Sequence, residues 1–290
     1  MKVSIIIPVY NGANFLELAI NSALNQSYKD IEIIVVNDGS NDNGETEKVA
    51  LSFNDKIKYF YKDNGGVSSS LNYGIQKSNG AYISWLSHDD IYHEDKIKKS
   101  IEHLKSIDSG KNIIFTDYKL ISETGEFLKN INSPNKIEDV FFGLISNTFA
   151  LNGCTLLIPK EVFTNIGYFN TKLKTTQDYD MWLRCLKGGY KFINLSENLV
   201  DYRIHGNQDS IKKKSLFHKE IKDAQKKVLL SFSIDDINIG SGKKINKHLT
   251  YIYLRYLFIK NNILLSLTSL SQKLGFYDFL APIYRKLFIK

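Results

Sequence analysis

The chain has 290 residues, of which 43% are hydrophobic and 12% are aromatic, and this composition excludes an intrinsically disordered protein. Its formal net charge of +7 is unevenly distributed. Residues 1–210 contain 22 Lys and Arg against 26 Asp and Glu, whereas residues 211–290 contain 16 against 5. We therefore expect a mildly acidic body and a strongly basic C-terminal segment that have different partners.

The cysteine content and the length of the apolar runs indicate the cellular compartment of the protein. Cys154 and Cys185 form neither a disulfide framework nor a metal-ligand spacing, which fits a reducing compartment. The first apolar run is short and is broken by Pro8, so it predicts a strand rather than a signal peptide. No window approaches the roughly 18 uninterrupted apolar residues that a transmembrane helix needs. These features predict a cytoplasmic location.

Strand and helix patterns alternate through the first 110 residues. Apolar runs predict strands, and runs with helical spacing of apolar residues lie between them. This alternation predicts a parallel α/β sheet with right-handed crossovers. After Asp90 the pattern becomes mixed and ends in a strand over 199–204. The predicted strands of the first part are 2–10, 31–36, 57–61 and the run that begins at Ile83.

Three of these strands end in polar groups, at the edge of an α/β sheet where ligands bind. Tyr10 and Asn11 follow the first strand, Asp38 follows the second, and Asp89 and Asp90 follow the strand at Ile83. Adjacent carboxylates repel each other unless a cation or donor groups lie between them. The acidic pair therefore indicates either a Mg²⁺ or Mn²⁺ site or a solvated helix cap. If Asp38 is buried, its carboxylate is well suited to accept an N–H of a flat ring such as uracil. The alternative is that it accepts a hydrogen bond from the backbone of its own turn.

Two further positions carry candidate chemistry. Asp178 begins a helix with an apolar stripe, where a carboxylate gains from the helix dipole, so it is a candidate general base or an N-cap. His205 lies between a strand and Gly206, from which it can reach a metal or a phosphate, or serve a structural role.

Six segments in order resemble the family 2 glycosyltransferases of the GT-A fold: VSIIIPVYN, IIVVNDGS, NGGVSSSLNYGI, WLSHDD, TQDYDMWLR and YRIHG. The resemblance covers residues 1 to about 210. It implies an α/β fold with a nucleotide-sugar-binding, Rossmann-like sheet flanked by helices. The nucleotide-binding half is 1–110, the acceptor-binding half is 111–210, and a basic, mostly helical C-terminal extension occupies 211–290.

The resemblance also implies residue roles. Asp178 matches the catalytic base of the family. Asp90 and His205 are the expected ligands of a divalent cation, Mn²⁺ or Mg²⁺, that bridges the donor diphosphate. Asp38 is expected to bond uracil, and Asp89 to contact the ribose or the sugar. The expected donor-nucleotide residues are Pro8, Tyr10, Asn11, Asp38, Asn64 and Asp89.

The chain departs from the family pattern at two positions. Ser87 stands where the family often has an acid, and Leu71 stands where many members have Arg. Both departures concern the donor side of the expected site. Neither removes the expected metal ligands or the expected base.

The function implied is inverting transfer of a sugar from a nucleotide-diphosphate sugar, UDP-linked, to a hydroxyl of a saccharide or lipid-linked saccharide. A nucleotidyltransferase is disfavoured because VYNGAN lacks the basic residue that such enzymes need after the first strand. A non-catalytic nucleotide-sugar-binding or membrane-docking protein with the same fold stays open. A nucleic-acid partner is disfavoured by the acidic body and by the lack of a recognition module.

The basic segment 211–290 alternates lysine clusters with aromatic and aliphatic runs. This pattern suits helices that lie in the headgroup region of an anionic membrane, and relatives that extend lipid-linked saccharides favour a peripheral location on its inner face. It equally suits helices that pack on the catalytic domain or on a second subunit. The oligomeric state stays open.

Overall fold

The predicted alternation of strands and helices forms a five-stranded sheet. The computed structural model describes residues 1–108, 110–146, 150–206, 208 and 213–231. The sheet has the order β3-β2-β1-β4-β8, in which the first four strands are parallel and β8 is antiparallel. Its strands are β1 (Val3–Val9), β2 (Ile31–Asn37), β3 (Lys58–Tyr61), β4 (Tyr82–Trp85) and β8 (Ile158–Pro159).

The central strand of this sheet, β1, packs against the helix that follows it and the helix that precedes β4. All seven of its residues are buried, as expected for a strand covered on both faces, and its one polar residue, Ser4, donates its hydroxyl to Glu32 at 2.5 Å. The helix after β1 buries Phe15, Leu16, Ala19 and Ile20 against the sheet at helical spacing. The helices of this half are α1 (Ala13–Leu24), α2 (Glu45–Leu51), α3 (Val67–Lys77) and α4 (Lys96–Ser106).

The mixed pattern after Asp90 forms a second sheet, with the order β5-β9-β6-β7. The strand predicted over 199–204 is the end of a 13-residue strand that pairs in parallel with β6 and antiparallel with β5. The pairing with β5 brings the end of β9 to the segment that follows Asp90. The strands are β5 (Ile91–Tyr92), β6 (Asn112–Ile121), β7 (Phe127–Ile131) and β9 (Lys191–Arg203).

The remaining helices lie in the second half of the chain. They are α5 (Ile137–Ser146), α6 (Glu161–Asn165), α7 (Gln177–Lys187) and α8 (Lys214–Ser231). Helix α8, which opens the predicted C-terminal extension, packs on α5 and α7. The rest of that extension, residues 232–290, lies outside the described residues. Among the residues that the structure describes, no helix is both long and apolar enough to cross a membrane.

An aromatic row connects the first sheet to α7. Trp85, at the end of β4, contacts Phe169 edge-on with ring centroids 6.2 Å apart, and Phe169 contacts Trp182 of α7 at 6.1 Å. The Gly153 backbone packs directly against the Trp85 ring, since a Cβ at that position would lie 2.3 Å from the ring. Helix α7 is therefore fixed relative to the strand that leads to Asp89 and Asp90.

Candidate active site

The polar ends of three strands meet at one edge of the first sheet, as predicted. Strand β1 pairs in parallel with β2 on one side and with β4 on the other, so their carboxyl ends are adjacent. Pro8 is buried in β1, opposite Val36 of β2. The groups that follow these strands therefore share one region of the molecule.

Tyr10 and Asn11 lie on the surface at the end of β1 and are tied to the loop after β2. Asn11 adopts a positive φ of 48°, which lets the chain turn sharply. Its side chain donates to Asn41 Oδ1 at 2.7 Å and accepts from the Asn41 N–H at 2.8 Å, while its own N–H donates to Ser40 Oγ at 2.9 Å. The Tyr10 hydroxyl donates to the same Asn41 oxygen at 3.4 Å. These bonds join the two loops that were expected to receive the nucleotide.

Asp38 is buried and holds a second loop against the end of β2. Its carboxylate accepts from Lys62 Nζ at 2.6 Å, from the Gly66 N–H at 2.7 Å and from the Gly65 N–H at 3.1 Å. The carboxylate therefore already serves as an acceptor, the role expected of it toward uracil. Asn64 is exposed on this loop, and Gly39 permits the approach, because a Cβ there would lie 2.7 Å from the Asn64 nitrogen.

Asp89, at the end of β4, is paired with His205, at the end of β9. The distance from Asp89 Oδ2 to His205 Nε2 is 2.9 Å, and both side chains are largely buried. Phe15 of α1 packs against the imidazole, with ring centroids 5.3 Å apart. The Gln208 side chain bonds the backbone that leads into His205: it accepts the His205 N–H at 3.4 Å and donates to the Arg203 carbonyl at 2.6 Å.

His205, which was expected to share a cation with Asp90, is hydrogen-bonded to Asp89 in the structure, and Asp90 bonds the backbone two residues before His205. Asp90 is 1% exposed; its Oδ1 accepts the Arg203 N–H at 3.0 Å, and its buried Oδ2 has no hydrogen-bond partner among the described residues. Burial, followed by the charge of Asp89, raises the pKa of the Asp90 carboxyl well above its usual range. Both acids lie in the turn between β4 and β5, where the Asp89 side chain meets His205 and the Asp90 side chain accepts the Arg203 backbone N–H.

Arg203 was missed by the sequence analysis, although it lies two residues before His205. Its guanidinium donates through Nε to the Asp89 carbonyl at 3.0 Å, and through one terminal nitrogen to the Glu123 carbonyl at 2.8 Å and the Ser122 carbonyl at 3.3 Å. It also lies 4.7 Å above the Phe15 ring centroid. Arg203 therefore fixes the turn that carries Asp89 relative to the second sheet.

Asp178 is the second residue of α7, as predicted, and is half-buried. Its Oδ1 accepts the Tyr179 N–H at 2.7 Å. Burial raises the pKa of its carboxyl to about 6, and the backbone N–H groups of Tyr179 and of Asp178 itself oppose this shift. Arg184, in the C-terminal part of α7, connects this helix to the segment before it. It forms an ion pair with Asp180 at 2.8 Å and donates to the Ile166 carbonyl at 3.0 Å.

The two departures from the family pattern have structural roles in this chain. Leu71 of α3 is 1% exposed and packs in the hydrophobic core. The Ser87 hydroxyl lies 3.1 Å from the Cys154 sulfur. In the part of the chain that the structure describes, no group of three or more His, Cys, Asp or Glu side chains is arranged to hold a metal.

Residues 4–167, more than half of the chain, match the sequence profile of Glycosyl transferase family 2. The chain belongs to this family. An uncharacterized glycosyltransferase of Rickettsia conorii is 50% identical over 216 residues, which are 72% of this chain and 35% of that protein. The O-antigen biosynthesis glycosyltransferase WbnJ of Escherichia coli is 30% identical over 213 residues, which are 70% of this chain and 80% of that protein. The resemblance to the family is thereby confirmed, and the matched region covers the first four of the six sequence segments from Ser4 onward.

A solved structure shares the fold of this chain. The crystal structure of a fragment of S. aureus TarS, in complex with UDP-GlcNAc, covers 89% of this chain with a TM-score of 0.65 at 15% identity, and the match spans 72% of that fragment. The GT-A fold prediction for this family 2 chain is confirmed over the described residues. The chain spans 35% of the length of the two rickettsial relatives that it matches at 50% identity.

Replacing Arg203 tests whether this side chain holds the Asp89 turn. Arg203→Met leaves the buried Asp89 carbonyl and the more exposed Ser122 and Glu123 carbonyls without their donor, and an unsatisfied buried group costs roughly 1–3 kcal/mol. We expect a loss of about 1–3 kcal/mol in the free energy of unfolding. The loss should be smaller for Arg203→Lys, which keeps a donor but cannot reach all three carbonyls. Denaturant unfolding measures the change.

Lys99→Met is the matched control for the Arg203 variants. It removes a cation whose ion pair with Glu197 at 2.5 Å lies at the surface, so it should destabilise the protein much less than Arg203→Met does. Equal unfolding midpoints for Arg203→Met and Lys99→Met would show that Arg203 does not support this turn.

Proposed function

We propose that this chain is an inverting glycosyltransferase. It moves a sugar from a nucleotide-diphosphate sugar, a UDP-sugar, to a hydroxyl of a saccharide or lipid-linked saccharide. The observation that carries the proposal is the Asp89–His205 pair, which lies at the same sheet edge as Asp38. Membership of the family supports group transfer, and the UDP-GlcNAc bound to TarS supports the choice of a UDP-sugar.

The donor side of the proposed site is the joined pair of loops after β1 and β2. Pro8 and Tyr10 border the nucleotide base, and Asn11 and Asn64 lie on the loops beside it. Asp38 is the acceptor for an N–H of uracil, because it is buried, faces this region and already accepts N–H groups there. The Lys62 ammonium on the same carboxylate must share it with the base or move aside.

Asp89 and His205 are the proposed ligands of a divalent cation, Mn²⁺ or Mg²⁺. One carboxylate and one imidazole, 2.9 Å apart, fit such an ion, since Mg²⁺ is commonly held by one or two carboxylates together with substrate phosphates. A cation bound there neutralises the charge that develops on the diphosphate leaving group. Asp90, the ligand expected from sequence, accepts the Arg203 N–H through Oδ1, while its buried Oδ2 has no hydrogen-bond partner among the described residues, so its part in holding the cation is tested beside that of Asp89.

Asp178 is the proposed general base. Its pKa of about 6 leaves the carboxylate mostly ionised at neutral pH and still able to hold a proton during the reaction. It takes the proton of the acceptor hydroxyl as that oxygen attacks the anomeric carbon. The new C–O bond forms as the bond to the diphosphate breaks, so a single displacement inverts the anomeric centre. No covalent sugar–enzyme bond is needed.

The acceptor and the location are proposed from the family and the charge distribution. The chain is proposed to act on the cytoplasmic side, with the basic residues of 211–290 near an anionic membrane surface that carries a lipid-linked acceptor. The name of WbnJ, an O-antigen biosynthesis glycosyltransferase, supports an acceptor in polysaccharide assembly.

A donor screen tests the proposed activity. The full chain is incubated with UDP-, GDP- and dTDP-sugars, with Mn²⁺ or with EDTA, and release of the nucleoside diphosphate is measured. We expect release from one or more UDP-sugars in the presence of Mn²⁺. Binding of a UDP-sugar without turnover over a panel of saccharide acceptors would favour the alternative, a non-catalytic nucleotide-sugar-binding protein.

Asp178→Asn tests the base. The amide preserves the shape of the side chain but cannot take a proton, so transfer should fall by about 10²–10⁴-fold while the donor dissociation constant stays the same. In the parent protein, kcat should rise with pH through about 6, because the base must be deprotonated. Steady-state rates and calorimetric binding measure both effects.

The matched control for the base is Glu17→Gln, a neutralised carboxylate on the exposed face of α1, which should leave both kcat and the donor dissociation constant unchanged. Loss of donor affinity together with turnover in Asp178→Asn would place Asp178 in the donor site instead.

Asp89→Asn and Asp90→Asn distinguish the two possible metal ligands. We expect Asp89→Asn to abolish the difference in UDP-sugar affinity between Mn²⁺ and EDTA, and Asp90→Asn to retain it. His205→Gln should lower the metal dependence less, because water can replace one neutral ligand. Calorimetry in Mn²⁺ and in EDTA gives the comparison, and a metal dependence lost with Asp90→Asn but kept with Asp89→Asn would return the assignment to Asp90.

A further inference from the structure

Glu220, in the C-terminal helix α8, reaches back to the loop that leads into α7. Its Oε1 accepts the Lys174 N–H at 3.1 Å. Its Oε2 accepts the Thr175 N–H at 3.0 Å, the Thr175 hydroxyl at 2.7 Å and the Thr176 hydroxyl at 3.2 Å. Partial burial raises the pKa of Glu220, but these donors outweigh it and lower the pKa overall. A single carboxylate therefore orders three consecutive residues.

These three residues immediately precede the helix that carries Asp178. Thr176 is the N-cap of α7 and is fully buried, and its carbonyl accepts the Asp180 N–H at 3.0 Å. A threonine at this position usually caps the helix by accepting a backbone N–H through its hydroxyl. The Thr176 hydroxyl makes no such cap and donates to Glu220 instead. The Thr176 hydroxyl therefore bonds to helix α8 in place of the backbone of its own helix.

Helix α8 is held in place by the face on which Glu220 lies. Ile221 and Ala224 are 7% and 8% exposed, and Phe217 packs partly buried against the same core. Residues 217, 220, 221 and 224 follow the spacing of one helical face. The apolar contacts therefore fix the helix, and the helix presents the carboxylate to the loop.

We propose that Glu220 is a positioning residue for Asp178, through which the segment that follows the predicted catalytic domain completes the acceptor side of the active site. This inference rests on the proposed function of Asp178. The α7 helix is anchored at its end by Arg184 and at its start by Glu220, and the start is where the base lies. Among the described residues, the Asp38 side chain bonds Lys62, Gly65 and Gly66, and the Asp89 and His205 side chains bond each other, so we expect a chain with a displaced α8 to keep the donor site.

Glu220→Ala in the full chain tests the inference. We expect kcat for transfer to fall by about 10- to 100-fold, as a small misplacement of a catalytic group costs this much, with the dissociation constant of the UDP-sugar unchanged. Glu220→Gln, which retains acceptor oxygen, should recover part of the rate. Asp223→Ala, an exposed carboxylate on the same helix, is the matched control and should behave as the parent.

A double-mutant cycle separates positioning from general destabilisation. If Glu220 acts through Asp178, Glu220→Ala should not lower further the residual rate of Asp178→Asn, whereas a general loss of structure would multiply the two effects. Should Glu220→Ala fail to fold, Thr175→Val removes the 2.7 Å hydroxyl contact without a change in shape and should lower kcat in the same direction.

The outcomes are distinct. Parent-like turnover in Glu220→Ala with an inactive Asp178→Asn overturns this inference and leaves the proposed function intact. Multiplicative effects, or donor binding lost in parallel with kcat, also overturn it. Parent-like transfer in Asp178→Asn overturns the assignment of the base, and with it the inference.

Discussion

The contact between the end of β9 and the turn after β4 is the constraint on which the candidate site depends. Arg203 donates its backbone N–H to the Asp90 side chain and its guanidinium to the Asp89 carbonyl. A charge that is buried must be matched by hydrogen bonds, and this one is matched by backbone carbonyls of the turn and of the β6–β7 hairpin. Because His205 follows two residues later, the same contact delivers the imidazole to Asp89.

Close backbone approach is a second requirement of this region. A Cβ on Gly12 would lie 2.2 Å from the His88 ring, so the loop after β1 can approach the acidic turn only because residue 12 has no side chain. The Gly12 N–H donates to Thr46 at 3.0 Å and thereby ties that loop to α2. The donor-side loops and the Asp89 turn are thus packed as one unit, in which a change at one loop is felt at the others.

The structure also buries a lysine where the sequence pattern gave no reason to expect one. Lys96 begins α4 and is fully buried, with Nζ 2.5 Å from Ser84 Oγ, 3.0 Å from the Leu156 carbonyl and 4.4 Å from the Tyr92 ring centroid. Burial lowers the pKa of its ammonium to about 7. It joins β4, α4 and the segment before β8 by donating to the Ser84 hydroxyl and the Leu156 carbonyl, so it serves as a buried hydrogen-bond donor and not as a solvent-exposed charge.

The sequence by itself determined the elements of the first sheet and the residues at their ends. Apolar runs fix strands locally, and parallel strands joined by helices bring their carboxyl ends to one edge, so Tyr10, Asp38 and the acidic pair could be placed together without coordinates. Asp178 was likewise placed correctly at the start of α7, because an apolar stripe marks a helix and its beginning. Tertiary structure alone decided which of Asp89 and Asp90 meets His205, since the partner comes from a strand more than a hundred residues later. It also decided that Glu220 orders the start of α7, because a contact between a helix and a distant loop depends on packing and leaves no periodic signal in the sequence.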